Sequence, residues 1–165
     1  MKVIAFWDIR FDGWSINLPV YDDPLRFIVY PNDTDEAIIA RQIERVIPRE
    51  PGVPADYHVI DQHDLPSDRT FRYAWTWQGS RMDVDMPLAR GIHMEEIRKV
   101  RNTELVAKDI TFMRAVEAGD ASAQSTIGTE KQVLRDIPAT FDITTGVTTP
   151  AQLKAKWPTE LPARE

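Results

Sequence analysis

The spacing of apolar and polar positions changes period several times along this chain. Residues 2–10 are rich in Val, Ile, Phe and Trp and read as a strand. Asp12-Gly13 is a hairpin turn signal, and residues 14–20 return as the second strand, with Pro19 at its edge or end. Asp22-Asp23-Pro24 is a loop, and residues 25–30 form an apolar run of strand length that Pro31-Asn32-Asp33 stops. The period then turns helical. Ile39, Ile43, Val46 and Ile47 recur with Arg41, Glu44 and Arg45 between them, Asp33 or Thr34 stands at the cap, and Pro48 ends the run. A Pro-rich loop over 48–56 leads into a short strand at 57–60. Phe71, Tyr73, Trp75 and Trp77 then alternate on one face, Gln78-Gly79-Ser80 turns the chain, and Met82, Val84 and Met86 alternate back. Residues 71–86 therefore predict an aromatic-faced β-hairpin.

Downstream the pattern is helical throughout. Asp85 suits an N-cap and Pro87 a first turn, and the helix they open is expected to reach Ala118, about 45 Å at 1.5 Å per residue. Gly119 marks its end, and Asp120 caps a second helix running to about Asp136, before Pro138. The pair reads as an αα-hairpin. Thr148 or Thr149, with Pro150, opens a last short helix that ends near Trp157-Pro158. At 100° per residue the long helix carries three apolar stripes. Leu88, Val106, Ile110 and Met113 fall within about 60° of Ile92. Leu105, Phe112 and Val116 form a second stripe, and Ile97 with Val100 a third. One partner helix cannot cover all three. Either the helix packs on both its hairpin mate and the β layer, or one stripe stays exposed and meets another chain.

The fold class expected is α+β. A small N-terminal β-rich α/β part (residues 1–67) leads into the aromatic hairpin (68–86), followed by a helical hairpin and short C-terminal helix (87–165). With 165 residues the chain is long enough for a core without staples, and it has no Cys, which rules out disulfides, thiolate metal sites and thiol nucleophiles. No apolar run approaches the roughly 20 residues of a membrane span, and the N-terminus is not expected to act as an export leader. The formal charge of −6 is uneven: residues 1–86 carry 9 Lys/Arg and 15 Asp/Glu, residues 87–165 carry 11 of each. An acidic first half argues against nucleic acid, whose phosphates need clustered cations.

Few residues suggest chemistry. His58, Asp61, His63 and Asp64 could ligate a metal, but their spacing fits no standard motif and a polar loop explains them. His93 and Glu96 share one face of the long helix; the order is reversed from that of carboxylate-bridged bundle sites and there is no second copy, which favours a surface polar pair. Asp83 and Asp85 could be an acid/base pair or the solvent side of the hairpin. Asp22-Asp23 has no partner nearby in sequence. Ser15, Ser67, Ser80, Ser122 and Ser125 lack a nucleophile-elbow context, and there is no phosphate loop or dinucleotide fingerprint. Neither catalytic residues nor a metal or cofactor are expected. The aromatic set Phe71, Tyr73, Trp75 and Trp77, with Trp7 and Trp14 upstream, is either core or a binding platform with Arg69 and Arg72 at its rim.

A series of motifs adds to this reading: Asp68-Arg69-Thr70-Phe71-Arg72-x-Ala74-Trp75, Val84-Asp85-Met86-Pro87-x-Ala89-Arg90-x-Ile92-His93, Ile97-Arg98-x-x-Arg101, Phe112–Asp120, Lys131-Gln132-x-Leu134-Arg135-Asp136, and Thr149-Pro150-x-Gln152-Leu153-Lys154-x-x-Trp157-Pro158. Their order over about 90 residues resembles a module of small tailed-bacteriophage proteins encoded near tail-fibre genes. Members with an assigned role are similar to tail-fibre assembly chaperones and tail accessory proteins. Residues 1–67 show no such likeness, and the bulky Ile137–Phe141 stretch and Gly128 depart from the pattern. The resemblance implies a non-enzymatic protein that binds a trimeric tail-fibre protein during its folding, in the host bacterial cytoplasm. The alternative is a structural adaptor retained in the virion tail. Phe71, Tyr73, Trp75, Trp77, Leu105, Phe112 and Val116 are the expected partner-binding residues, and the long helix could also support a homo-oligomer. Neither nucleic acid nor membrane is expected as a partner.

Overall fold

The structure, a computed structural model, describes residues 2–8, 13–17, 34–47 and 56–164. The expected turn at Asp12, the strand at 25–30, the Asp22-Asp23 pair, the cap at Asp33 and most of the 48–56 loop lie outside the described residues. The fold is α+β. It divides into two compact units, Met1–Asp85 and Met86–Glu165.

The first unit is built on β1 (Lys2–Asp8), flanked on its two sides by β2 (Gly13–Asn17) and β3 (Tyr57–Asp61), both antiparallel to it. In β1 every residue from Val3 to Phe6 is buried, because both faces of this central strand are covered. The register pairs Ala5 with Ile16 and His58, Val3 with Ile60, and Trp7 with Trp14. Side chains directly opposite share a face. Val3, Ala5 and Ile60 pack with Trp75 and Met82. Ile4 and Phe6, on the other face, pack with Ile47, Ile39 and Ile43. The last two belong to α1 (Asp35–Val46), which Thr34 caps by accepting the Ala37 amide at 3.2 Å.

The aromatic hairpin is shorter than its alternation suggests. Only β4 (Trp75–Trp77) and β5 (Met82–Val84) pair, closed by a turn in which Gly79 takes φ of +84°. Residues 71–74 are not strand. Asp68 accepts the amide and hydroxyl of Thr70, and Arg72–Ala74 form a 3₁₀ turn with Arg72 and Ala74 bonded back to Arg69 and Phe71. The reason is the lack of a mate: β5 ends at Val84, the Asp85 amide reaches the Ala74 carbonyl, and Met86 is already helical. With no opposite strand, residues 71–73 satisfy their backbone locally.

The second unit has α2 (Met86–Glu117) as its spine, paired with α3 (Ala121–Thr140) and followed by α4 (Pro150–Ala155). The α2–α3 connection is minimal. Gly119 adopts φ of +68°, its amide bonds to the Val116 carbonyl and that of Asp120 to the Ala115 carbonyl, the two bonds of a Schellman ending. Asp120 then accepts the Ala123 amide, so one residue closes α2 and opens α3. Gly128 does not interrupt α3, and Pro138 does not end it. Pro138 sits in the last turn, where one missing amide is tolerated, and the Phe141 amide closes on Ile137 at 2.9 Å. Thr149 and Gln152 form a reciprocal capping box with Pro150 at the first turn of α4, and that helix stops at Ala155, two residues before Trp157.

The core of this unit is Ile97, Leu134, Ile137 and Leu161, with Leu105, Phe141 and Trp157 packed against it. Ile97→Ala is expected to cost about 2–5 kcal/mol of stability, the range for emptying a buried aliphatic site. Gly119→Ala should cost about 1–3 kcal/mol through left-handed backbone strain alone, since nothing lies within 4 Å of an added Cβ. Urea unfolding followed by circular dichroism measures both.

Candidate functional site

The sequence-predicted binding residues do not form one surface. Phe71 and Trp75 are buried in the first unit, and Trp77 is half-buried against the same core. Tyr73, displaced from the strand by the 3₁₀ turn, stays 63% exposed, with the Arg72 guanidinium over its ring at 4.6 Å. The aromatic face is therefore not a continuous platform: its Trp75 and Trp77 ends serve the core, and Tyr73 stands at the surface.

An aromatic row that sequence spacing did not suggest runs across the sheet instead. The His58 ring stacks on Trp77 at 3.8 Å and on Trp14 at 5.5 Å, and Trp14 meets Trp7 edge-on at 5.9 Å. Strand pairing explains it, since Trp7 lies opposite Trp14 and His58 opposite Ala5 on the same face. That placement separates His58 from the acids it was grouped with. Asp61, His63 and Asp64 do approach, with ligand atoms within 4.8 Å of one another. Yet Asp61 is held by the Lys2 ammonium at 2.7 Å, which keeps its carboxyl below the usual range. Its neighbours lie on a 3₁₀ turn beside a cleft lined by Gln62, Leu65 and Arg69.

On α2 the stripes separate by what covers them. Leu105 packs into the α2–α3 core, and Phe112 is half-buried beneath the Lys131 ammonium, 5.0 Å from its ring; only Val116 of that stripe is exposed. The α3 helix lies over this side, with ion pairs Lys108–Glu130 and Lys131–Asp109 beside the apolar contact. The stripe left open is the other one: Leu88, Val106, Ile110 and Met113 are 51%, 62%, 53% and 57% exposed. The second stripe was the expected contact surface, but its Leu105 and Phe112 face the hairpin mate, because α3 with Lys131 lies on that side.

The third stripe holds a clasp. His93 is fully buried, not a surface partner of Glu96, and its Nε2 donates to the Lys156 carbonyl at 2.6 Å, with Trp157 edge-on at 5.8 Å. One turn earlier Arg90 donates to the Val147 carbonyl at 2.9 Å, and one turn later Glu96 accepts from Arg164 at 2.5 Å. Three polar side chains at three-residue spacing thus fix the C-terminal segment to α2. The signal was present in the sequence: His93 lies about 100° from Ile92, between Val100 and Ile97 on the buried stripe.

Burial pushes the His93 imidazole below its usual value, with the Arg164 charge adding to this, while the Lys156 carbonyl and Glu96 act the other way. The unfolded chain takes up this proton near pH 6.5 and the folded chain at lower pH. Stability of this unit is therefore full above about pH 6.5 and declines as pH falls below it. Unfolding midpoints between pH 7.5 and 5.5 should fall for the native chain and fall less for His93→Gln.

No helix among the described residues is long and apolar enough to cross a membrane. Comparison with protein-family models, with curated proteins and with solved structures finds no match to this chain.

Proposed function

We propose that the chain is a non-enzymatic tail-fibre assembly chaperone, which binds a phage fibre protein and shields its apolar surface until the trimer forms. The observation that carries this reading is apolar surface kept on the outside of two well-packed units: Tyr73 in the first, and Leu88 near the start of α2 in the second. Exposed strand edges and apolar patches on a nascent fibre aggregate unless another polypeptide covers them. A partner that supplies exposed aromatic and aliphatic anchors suits that task.

The motif series from Asp68 to Pro158 supports the same reading. Its residues hold the folded elements together: Asp68 opens the turn before the hairpin, Arg90 and His93 form the clasp, Gly119 and Asp120 join the helices, and Thr149 with Gln152 caps α4.

Co-expression with the neighbouring fibre protein tests the proposal. The fibre should move into the soluble fraction and co-elute with the chain, and equal solubility with and without it would sink the idea. Tyr73→Ala and Leu88→Glu should each weaken capture about tenfold or more, as loss of a binding anchor does. Fixed stoichiometry in purified particles would identify a retained adaptor instead.

A further inference from the structure

From the long helix we infer a self-association surface: the Lys99–Glu117 face of α2 pairs with the same face of a second copy, antiparallel. On this face Lys99, Thr103, Val106, Ile110, Met113 and Glu117 follow one another at alternating spacings of four and three residues. That is the spacing of a helix–helix seam. All six are exposed. The seam runs over 19 residues, Lys99 to Glu117, about 27 Å of helix. Its centre is apolar and its two ends carry opposite charges.

The order of those charges selects the partner and the direction. A two-fold axis level with residue 108 sets Val106 opposite Ile110 of the second copy, Thr103 opposite Met113 and Lys99 opposite Glu117. The surface is then self-complementary, as an isologous dimer requires. The apolar centre is covered on both chains, and each end closes with a Lys–Glu pair. Parallel pairing would instead bring Lys99 against Lys99 and Glu117 against Glu117. Neither Lys99 nor Glu117 forms an ion pair with another described residue, whereas nearby Lys108, Asp109, Glu95 and Arg98 are all engaged within the chain.

Size-exclusion chromatography with light scattering on the full chain, at increasing concentration, tests the inference. The expected mass is twice the 18.9 kDa of one chain. Lys99→Glu alone should give a monomer, and Glu117→Lys alone should do the same, because each places like charges at both ends. An equimolar mixture of the two variants should dimerise again, and so should K99E/E117K in one chain. Recovery on mixing requires both variants to be folded, so it separates lost pairing from lost structure. A native chain that is monomeric throughout would overturn the inference, as would a dimer indifferent to both reversals or a mixture that stays monomeric. The measurement uses the chain alone. Failure to solubilise a fibre would leave it standing, and a monomeric chain would leave fibre binding untouched.

Discussion

The second unit depends on one geometric constraint: a single helix of 32 residues carries more apolar surface than one neighbour can cover. The α3 helix takes the side with Leu105 and Phe112. The segment after α3 takes the side with His93 and Ile97, using Leu161, Trp157 and three polar anchors. Leu88, Val106, Ile110 and Met113, on the remaining stripe, each stay more than half exposed. Both covers are polar at their edges. Ion pairs flank α3, and backbone carbonyls receive Arg90 and His93. The apolar residues of that exposed stripe, with Tyr73, are the surface on which the functional proposals rest.

The first unit answers a related constraint with layers. A central strand buried on both faces needs cover on each, and the chain supplies α1 for one and the short hairpin for the other. Trp75 and Trp77 are the hairpin's contribution to that cover. This is why a strand face with so many aromatic residues yields so little open surface. The His58 ring, lodged between Trp14 and Trp77, extends the same layer toward the edge of the sheet.

Elements governed by local chemistry were legible in the sequence: the caps of α1 and α4 to within one residue, the Gly119-Asp120 junction, the Gly79 turn and both long helices. Each follows from a residue's own backbone preference or from a short-range hydrogen bond. Pro138 was read as a stop because sequence does not show how near a proline lies to a helix end. Period-two alternation over residues 71–77 matched a strand, but pairing needs a mate of equal length, and β5 provides only three residues. The choice among stripes on α2 was not legible, since periodicity gives their angles and not their cover. His93 was misread through its polarity, although its angle already set it among Ile97 and Val100.

The clasp has a consequence for how the protein comes into being. Arg90, His93 and Glu96 meet partners 57, 63 and 68 residues further along the chain. While the ribosome is still making those partners, the N-terminal half of α2 has nothing to close it, and Ile97 faces solvent. Contacts this distant in sequence form late and slow the final step. The first unit, complete at residue 85, can settle well before then. The second half must pass through a period with its own core open, a hazard of the kind that the protein is proposed to relieve in its client.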